Sequence, residues 1–420
     1  MIHRRMGKSI LTIVLMFLVI QLVDSQEKNL DYFVKLALQN SPLLKDYQNR
    51  LQLNRIDSLR LRAGLGPQVN AVTNDSYAPV IHGTGYDEAI TNGANIYAAF
   101  SVSKGIISKG NLQNQLSSVE LQKQSILNPA KISEQDIKKS VADQYITAYG
   151  LFRQTKFLGE ALDLLRKEEV IINKLTGSGS YKQTDYLAFM VLLQQQDLQM
   201  AQTASLYRNA FRSLNYLCGV LDSSTHPLAE PDLRLEKLPG LQNSIFYQQF
   251  VTDSLNLVIS KKQIDISYQP KINIFGEAGY NSSLAFEAAK NFGTNFGLTL
   301  SIPIYDGHQR KMLHEQNSLS EQTRQYYREF FTRQYGQQVN QLILQLKENQ
   351  GLTGRIIRQV AYSQALVDAN RKLLEKGDVS VTEFILAISN LLTTRNLLIQ
   401  NEIEKYQLIS QLNYWCREKQ

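Results

Sequence analysis

The sequence predicts a duplicated, mainly α-helical chain in which each half runs helix–strand–strand–helix–helix. Three observations predict it. Two forty-residue stretches, Gly179 to Cys218 and Gly377 to Cys416, match in register: Gly179/Gly377, Thr184/Thr382, Asp185/Glu383, Tyr186/Phe384, Leu214/Leu412, Asn215/Asn413, Tyr216/Tyr414 and Cys218/Cys416 all differ by 198. Four runs of about ten residues alternate apolar and polar side chains, the period of a strand. No proline occurs in the 117 residues after Pro303, so very long helices can run there unbroken.

The chain has 420 residues, 20 % of them charged, which is the composition of a folded protein. It opens with Arg4, Arg5 and Lys8, then an apolar run from Ile10 to Ile20, then Val23-Asp24-Ser25 ahead of Gln26. This is the pattern of a secretory signal peptide over residues 1–25; a membrane-anchoring helix would want about 20 apolar residues. No Cys lies near the cut, so a lipid anchor there is excluded. Without residues 1–25 the formal charge falls from +7 to about +5, spread over the rest of the chain with no basic cluster interleaved with aromatics. Nucleic acid is not an expected partner. After the signal no apolar run reaches the length of a spanning helix, so a membrane crossing would have to be a β-barrel.

The first structural repeat is expected over 26–218, a linker over 219–242 and the second repeat over 243–420. Leu30 to Ala63 reads as helix, interrupted at Ser41-Pro42 because proline restricts the residue before it and suits a new first turn. Gly64-Leu65-Gly66-Pro67 stops it, and strands are expected at about 67–77 and 95–103, separated by a loop rich in Gly, Asn and Asp. In the second repeat they are expected at about 270–280 and 294–304. There Ile272, Ile274, Gly276, Ala278 and Tyr280 alternate with Lys271, Asn273, Phe275, Glu277 and Gly279. An offset of 203 equates Asn40-Ser41 with Asn243-Ser244, Pro67 with Pro270 and Tyr77 with Tyr280. Such runs have the length that crosses a bilayer at a tilt, but a half-buried soluble hairpin shows the same alternation.

Helical hairpins are expected at about 112–218 and 309–418, turning at Thr176–Tyr181 and Lys376–Val381 where glycines permit the reversal. The first carries an interruption at Asn128-Pro129. Polar residues flank a narrow apolar seam, the pattern of antiparallel coiled coils. The segment Gly219 to Gln242 holds Pro227, Pro231 and Pro239 and reads as a linker.

No catalytic, cofactor-binding or metal site is expected. The five histidines have no metal-ligand spacing, and no nucleophile elbow or phosphate-binding glycine loop occurs. Cys218 and Cys416, at equivalent helix ends, fit small buried residues; a disulfide would need their Cα atoms within about 7 Å.

This plan resembles the TolC-type outer-membrane efflux proteins of Gram-negative bacteria over nearly the whole mature chain. The most specific piece is Ser301-Ile302-Pro303-Ile304-Tyr305-Asp306-Gly307, similar to the family's strand-to-helix segment, with Pro303, Asp306 and Gly307 at its fixed positions. Asn40-Ser41-Pro42 and Leu374–Leu386 resemble the first-helix motif and the periplasmic tip. The first repeat departs from the pattern, with Ser103-Lys104-Gly105 where the proline would stand, which leaves that strand's end open.

The resemblance implies a homotrimer in the outer membrane. Each chain would add four strands to one shared twelve-stranded barrel in lipid, and its long helices to a periplasmic α-barrel. It implies a passive export duct whose tips, at Gly177, Gly179, Gly377 and Asp378, dock a periplasmic adaptor and an inner-membrane pump. Acidic residues near the tip narrow the closed entrance in that family. Glu383 matches the first, Asp185 is its equivalent in the first repeat, and Leu386 stands where a second acid often occurs. Both carboxylates equally fit a helix N-terminus, where the macrodipole favours negative charge. A type I protein-secretion channel uses the same duct and is the alternative. A periplasmic coiled-coil adaptor without a pore is a further one, although it would carry a lipoyl-like domain between its helices.

Overall fold

In the computed structural model, residues 28–79, 81–85, 94–106, 109–222, 224–283 and 287–417 are described. The expected signal sequence lies outside them. Helix α1 spans Leu30–Asn40 and starts on Asn29, whose side chain accepts from the Tyr32 N–H at 3.0 Å. Ser41 ends α1 and its hydroxyl accepts from the Leu44 N–H at 3.3 Å, so one residue closes one helix and caps the next. Pro42 is the first residue of α2, Pro42–Gly64, where its missing N–H costs nothing. Strands β1 (Gln68–Tyr77) and β2 (Ala94–Ile106) follow, then α3 (Lys109–Gly177) and α4 (Gln183–Leu217). The second half repeats the order: α5 (Ile245–Ser267), β3 (Lys271–Ser282), β4 (Phe292–Ser301), α6 (Gln309–Lys376) and α7 (Val381–Trp415).

The duplication is visible in the element boundaries themselves. The starts and ends of α5 lie 203 residues after those of α2, and those of α7 lie 198 after those of α4. The offset drops within the β1–β2 connection, which is the longer of the two strand loops. Two strand ends differ from the sequence expectation by three residues, and the first hairpin starts at Lys109 rather than 112. Strand β2 runs to Ile106 rather than 103, because no proline removes a ladder donor there; Pro303 in the second repeat forces β4 to end at Ser301 rather than 304. Helix α3 also continues through Pro129 for 69 residues. The bond lost by Pro129 is bordered by two ties to α5: Asn128 Nδ2 donates to Thr252 Oγ1 at 2.7 Å, and Asn256 Nδ2 donates to Ser125 Oγ at 3.0 Å.

The chain divides into two compact units. One comprises Lys45–Ala130 and Ile245–Thr332 and contains all four strands, in the order β1-β2-β3-β4, each pair antiparallel. Pairing puts Val69, Ala71, Phe100, Val102, Ile272, Ile274, Phe296, Leu298 and Leu300 on one face. Gln68, Asn70, Asn74, Ser101, Ser103, Asn273, Asn295 and Thr299 lie on the other. Phe100 and Phe296 are 68 % and 81 % exposed, so the apolar face has no cover among the described residues.

Glycines set the sheet's close approaches. A Cβ on Gly297 would lie 2.3 Å from the ring of Phe275, which crosses it on the polar face. A Cβ on Gly279 would lie 2.2 Å from the carbonyl oxygen of Ala98, backbone that has no room to yield.

The other unit, which among the described residues comprises 28–44, Lys131–Ser244 and 333–417, is mainly helical. Its larger core joins both hairpins: Leu165 and Ile172 of α3, Phe189 of α4, Val367 and Leu374 of α6, and Phe384 and Ile388 of α7 are all fully buried. A second core gathers Phe33 of α1, Tyr145 of α3 and Phe211 and Leu214 of α4. Between α6 and α7, buried Asn349 and Asn401 are hydrogen-bonded to each other at 3.1 Å, and Asn401 donates to Thr353 at 2.7 Å. A paired amide inside a coiled-coil seam fixes its register, since any slip would strand both groups.

The segment between the repeats is a packed strap rather than a free tether. Asn413 Nδ2 donates to the Arg234 carbonyl at 2.7 Å and the Glu236 N–H donates to Asn413 Oδ1 at 2.9 Å. Tyr145 donates to the Ala229 carbonyl at 2.7 Å, and Tyr406 to Glu230. The offset of 203 equates Leu233–Asn243 with Leu30–Asn40, so the strap holds the place that α1 holds in the first half. The two cysteines mark the equivalence. Cys218 donates to the Phe33 carbonyl at 3.4 Å and Cys416 to the Glu236 carbonyl at 3.5 Å, positions again 203 apart. Both thiols are free and buried, and burial pushes each up to about 11.

The close approach at Gly279 generates a prediction. Gly279→Ala will weaken the β2–β3 pairing by about 1–3 kcal/mol, the usual cost of forcing a group into filled space. Gly293→Ala, directly opposite in β4, adds a Cβ with nothing within 4 Å and will be tolerated. β-Sheet content by circular dichroism of the two purified variants separates them.

Candidate functional site

Each hairpin turns on one glycine with left-handed backbone, Gly179 at φ +79° and Gly377 at φ +80°, a conformation that a Cβ disfavours. The Gly377 N–H donates to the Leu374 carbonyl and the Asp378 N–H to that of Leu373; Gly179 and Ser180 repeat this with Thr176 and Leu175. These are Schellman closures, in which the two residues past the helix satisfy carbonyls that the last turn leaves open. Gly177 is the last residue of α3. Tyr181 joins the two turns: its hydroxyl donates to the carbonyls of Leu374 at 3.0 Å and Val379 at 2.8 Å.

The next helix of each hairpin starts on a carboxylate. The Glu383 side chain accepts from the Ser380 N–H at 3.0 Å, and Ser380 Oγ accepts from the Glu383 N–H at 3.2 Å. This reciprocal arrangement is a capping box. The Ser380 N–H and hydroxyl hold the Glu383 carboxyl below the usual carboxylate range. Asp185 accepts from the Lys182 N–H at 3.0 Å in the same way. Both candidate gate acids are therefore engaged at helix starts; Glu383 remains exposed and Asp185 is half-buried. Leu386, one turn beyond Glu383, is 61 % exposed.

Sequence reasoning missed the buried charge between the hairpins. Glu168 of α3, only 4 % exposed, pairs with Arg371 of α6 at 2.5 Å. Glu168 Oε2 and Arg371 Nε are both buried without a hydrogen-bond partner among the described residues. Burial raises the Glu168 carboxyl above its ordinary range, and Arg371 draws it back only in part. The pair was invisible in sequence because the partners lie two hundred residues apart on helices whose other faces are equally rich in Glu and Arg.

In the other unit, the strand-to-helix corner is built by its own motif. Pro303 ends the ladder, Gly307 takes φ +64°, and Asp306 accepts from the Arg310 N–H at 2.7 Å to cap α6. That bond and one from the Tyr268 hydroxyl hold the Asp306 carboxyl low. Arg310 in turn donates to Asp265 at 2.7 Å.

Among the described residues no helix is long and apolar enough to cross a membrane, and no group of three or more His, Cys, Asp or Glu could hold a metal ion.

No protein-family model matches the chain, and no curated protein does. Solved structures do match. The outer membrane protein VceC from Vibrio cholerae is 12 % identical with a TM-score of 0.77, covering 93 % of this chain and 96 % of that one. CusC, described by its transmembrane channel formation, is 17 % identical with a TM-score of 0.76, covering 93 % and 92 %. The CmeC outer membrane channel of Campylobacter jejuni is 13 % identical with a TM-score of 0.73, covering 93 % and 86 %. The chain has the fold of these proteins over almost its full length: a helical part and a four-stranded contribution to a sheet.

The buried pair supplies the second prediction. Arg371→Ala leaves Glu168 charged and unpartnered, and will cost about 3–5 kcal/mol at neutral pH. Because the folded-state carboxyl titrates above its unfolded value, acidification favours the folded form at this site. The deficit of Arg371→Ala will therefore shrink as pH falls and Glu168 takes up a proton. Glu168→Gln in the Arg371→Ala background will recover most of the loss at neutral pH. Thermal melts of wild type and the two variants at about pH 7 and about pH 5 check both directions.

Proposed function

We propose that this chain is a TolC-type outer-membrane channel, a passive export duct that works as a homotrimer with a periplasmic adaptor and an inner-membrane pump. The observation that carries the reading is the two-faced sheet: an uncovered apolar face, a polar face, and unpaired edges on β1 and β4. Lipid suits the first, water the second, and neither open edge is tolerable in a bilayer. Closure with two further copies makes a barrel of alternating inward and outward side chains. Tyr77 and Phe292, at the loop end of the apolar face and 77 % and 74 % exposed, suit a headgroup-level aromatic belt.

The long hairpins support the periplasmic half of the reading. The hairpins expose Val191 and Leu198 of α4 and Tyr326, Phe330 and Leu344 of α6, apolar groups that neighbouring copies would cover. Adaptor contact falls to the turns at Gly177, Gly179, Gly377 and Asp378, where the chain reverses. The Glu168–Arg371 pair and the Tyr181 hydrogen bonds tie the two hairpins near those turns and hold the entrance in one arrangement. Glu383 and Asp185 keep their charge beside it while capping their helices. Pro303, Asp306 and Gly307 form the corner that hands β4 to the tunnel helix α6. Neighbours described as outer membrane channels support this reading by fold.

The test is the mature protein extracted from membranes. It will run as a heat-modifiable trimer and conduct in planar bilayers; a soluble monomer that needs no detergent contradicts the reading. Shortening both turns around Gly179 and Gly377 will abolish export while the trimer still forms. Continued export by that variant removes the turns from docking.

Glu383 gives a further prediction. Glu383→Gln will lower cation selectivity at about 0.01 M salt, where the Debye length is about 30 Å, and change little at about 1 M, where it is about 3 Å. A carboxylate that serves only its capping box predicts equal reversal potentials for wild type and variant at both concentrations.

A further inference from the structure

The polar face of the sheet carries a second charged position that the reading above does not use. Register places Gln68, Asn70, Asn74, Tyr97, Ser101, Ser103, Asn273, Asn281, Asn295 and Thr299 on that side, all uncharged. Lys271 sits there too, at the first residue of β3. The remaining charge is Glu277, in the middle of the strand and directly paired with Ser101 on one side and Asn295 on the other. Asp75 and Lys104, the other charged strand residues, pair with Ile96 and Ile274 and so belong to the opposite face.

Glu277 is held rather than loose. The Tyr97 hydroxyl donates to Glu277 Oε2 at 2.7 Å, reaching diagonally down from its own partner Asn281. It can do so because the positions between them are Ala99 and Gly279, which leave the ring room to lie along the sheet. A neutral donor orients the carboxylate without cancelling its charge, and no Lys or Arg among the described residues pairs with Glu277. Beside it opens a hollow of about 490 Å³, lined by Tyr97, Glu277, Gly279, Asn281, Gly293 and Asn295. Lys290 also reaches this hollow, but it pairs with Glu287 at 3.2 Å and adds no net charge.

We propose that Glu277, oriented by Tyr97, is a charge-selecting residue of the duct at the level of the sheet, favouring cationic over anionic solutes independently of the hairpin turns. The proposal rests on the channel reading, because only closure by three copies brings three Glu277 carboxylates to one height around a common lumen. A mid-strand carboxylate on a low-dielectric wall raises the local cation concentration without binding any one ion tightly. Lys271, six residues earlier and about 20 Å along the strand at ~3.3 Å per residue, forms the opposing ring at the strand start. Glu277 therefore acts at a depth where it is the nearest fixed charge on the polar face.

The experiment is the reversal potential of purified trimers in planar bilayers under a KCl gradient. Glu277→Gln keeps the side-chain size and an acceptor for Tyr97. It will lower the potassium-to-chloride permeability ratio about twofold or more near 0.1 M salt and leave it unchanged near 1 M, where the Debye length is about 3 Å. Glu277→Lys will shift it further in the same direction. Tyr97→Phe and Glu277→Asp, which keep the charge, will stay close to wild type and show that the effect is not one of packing. Conducting trimers in which Glu277→Gln and Glu277→Lys share the wild-type reversal potential overturn the proposal while the channel reading stands. The same is true if Tyr97→Phe and Glu277→Asp shift as far as Glu277→Gln. A wild-type protein that never conducts overturns both.

Discussion

Unpaired backbone at the edges of a short sheet is the constraint on which the rest of this structure depends. In the proposed barrel the apolar outer face of the four strands stands in hydrocarbon, where each unsatisfied N–H or C=O costs several kcal/mol. The chain cannot close that sheet alone. Strands β1 and β4 are both ten residues long and unbulged, without proline and with Asp75 as their one charge. Soluble proteins protect such edges with charge, proline or a covering helix. On the proposed reading the edges are left as interfaces, and the curvature at which they meet sets the number of copies. The glycines at 276, 279 and 297 belong to the same constraint, since they let neighbouring strands and aromatic rings approach closely.

The helical half obeys a related rule. A narrow apolar seam buries one hairpin against the other within a chain, through Leu165, Phe189, Val367, Phe384 and Ile388, and leaves a second set of apolar residues outside. Capping settles where each helix ends: Schellman closures at Gly179 and Gly377, carboxylate caps at Asp185 and Glu383. The caps and the proposed entrance charges are the same residues. One side chain can do both, because a carboxylate that accepts backbone N–H bonds keeps its charge.

Much of this was legible in the sequence, for identifiable reasons. Turn glycines, strand alternation and the paired offsets are local or periodic signals, and they fix element positions to within about three residues. The strap was not legible as structure. Its residues Leu233–Asn243 align with α1, but Pro239 forbids the same helix, and the ties that hold it come from Asn413, Tyr145 and Tyr406, far away in the chain. Helix α3 runs through Pro129 because long flanking helices and the Asn128–Thr252 and Asn256–Ser125 bonds outweigh one lost hydrogen bond. Glu168–Arg371 and Tyr97–Glu277 are pairings across repeats, which no local pattern announces. Glu277 alone could have been singled out, as the one acid on the polar side of its alternating run.

The central claim is that other copies of this chain close the sheet at β1 and β4. Amide hydrogen exchange of the assembled protein, resolved strand by strand, tests it most directly. Closure predicts that the outward-facing amides of β1 and β4 exchange as slowly as those of β2 and β3, since all four strands are then paired on both sides. Slow exchange in β2 and β3 with fast exchange along the free sides of β1 and β4 would mean an open sheet, and would contradict the account.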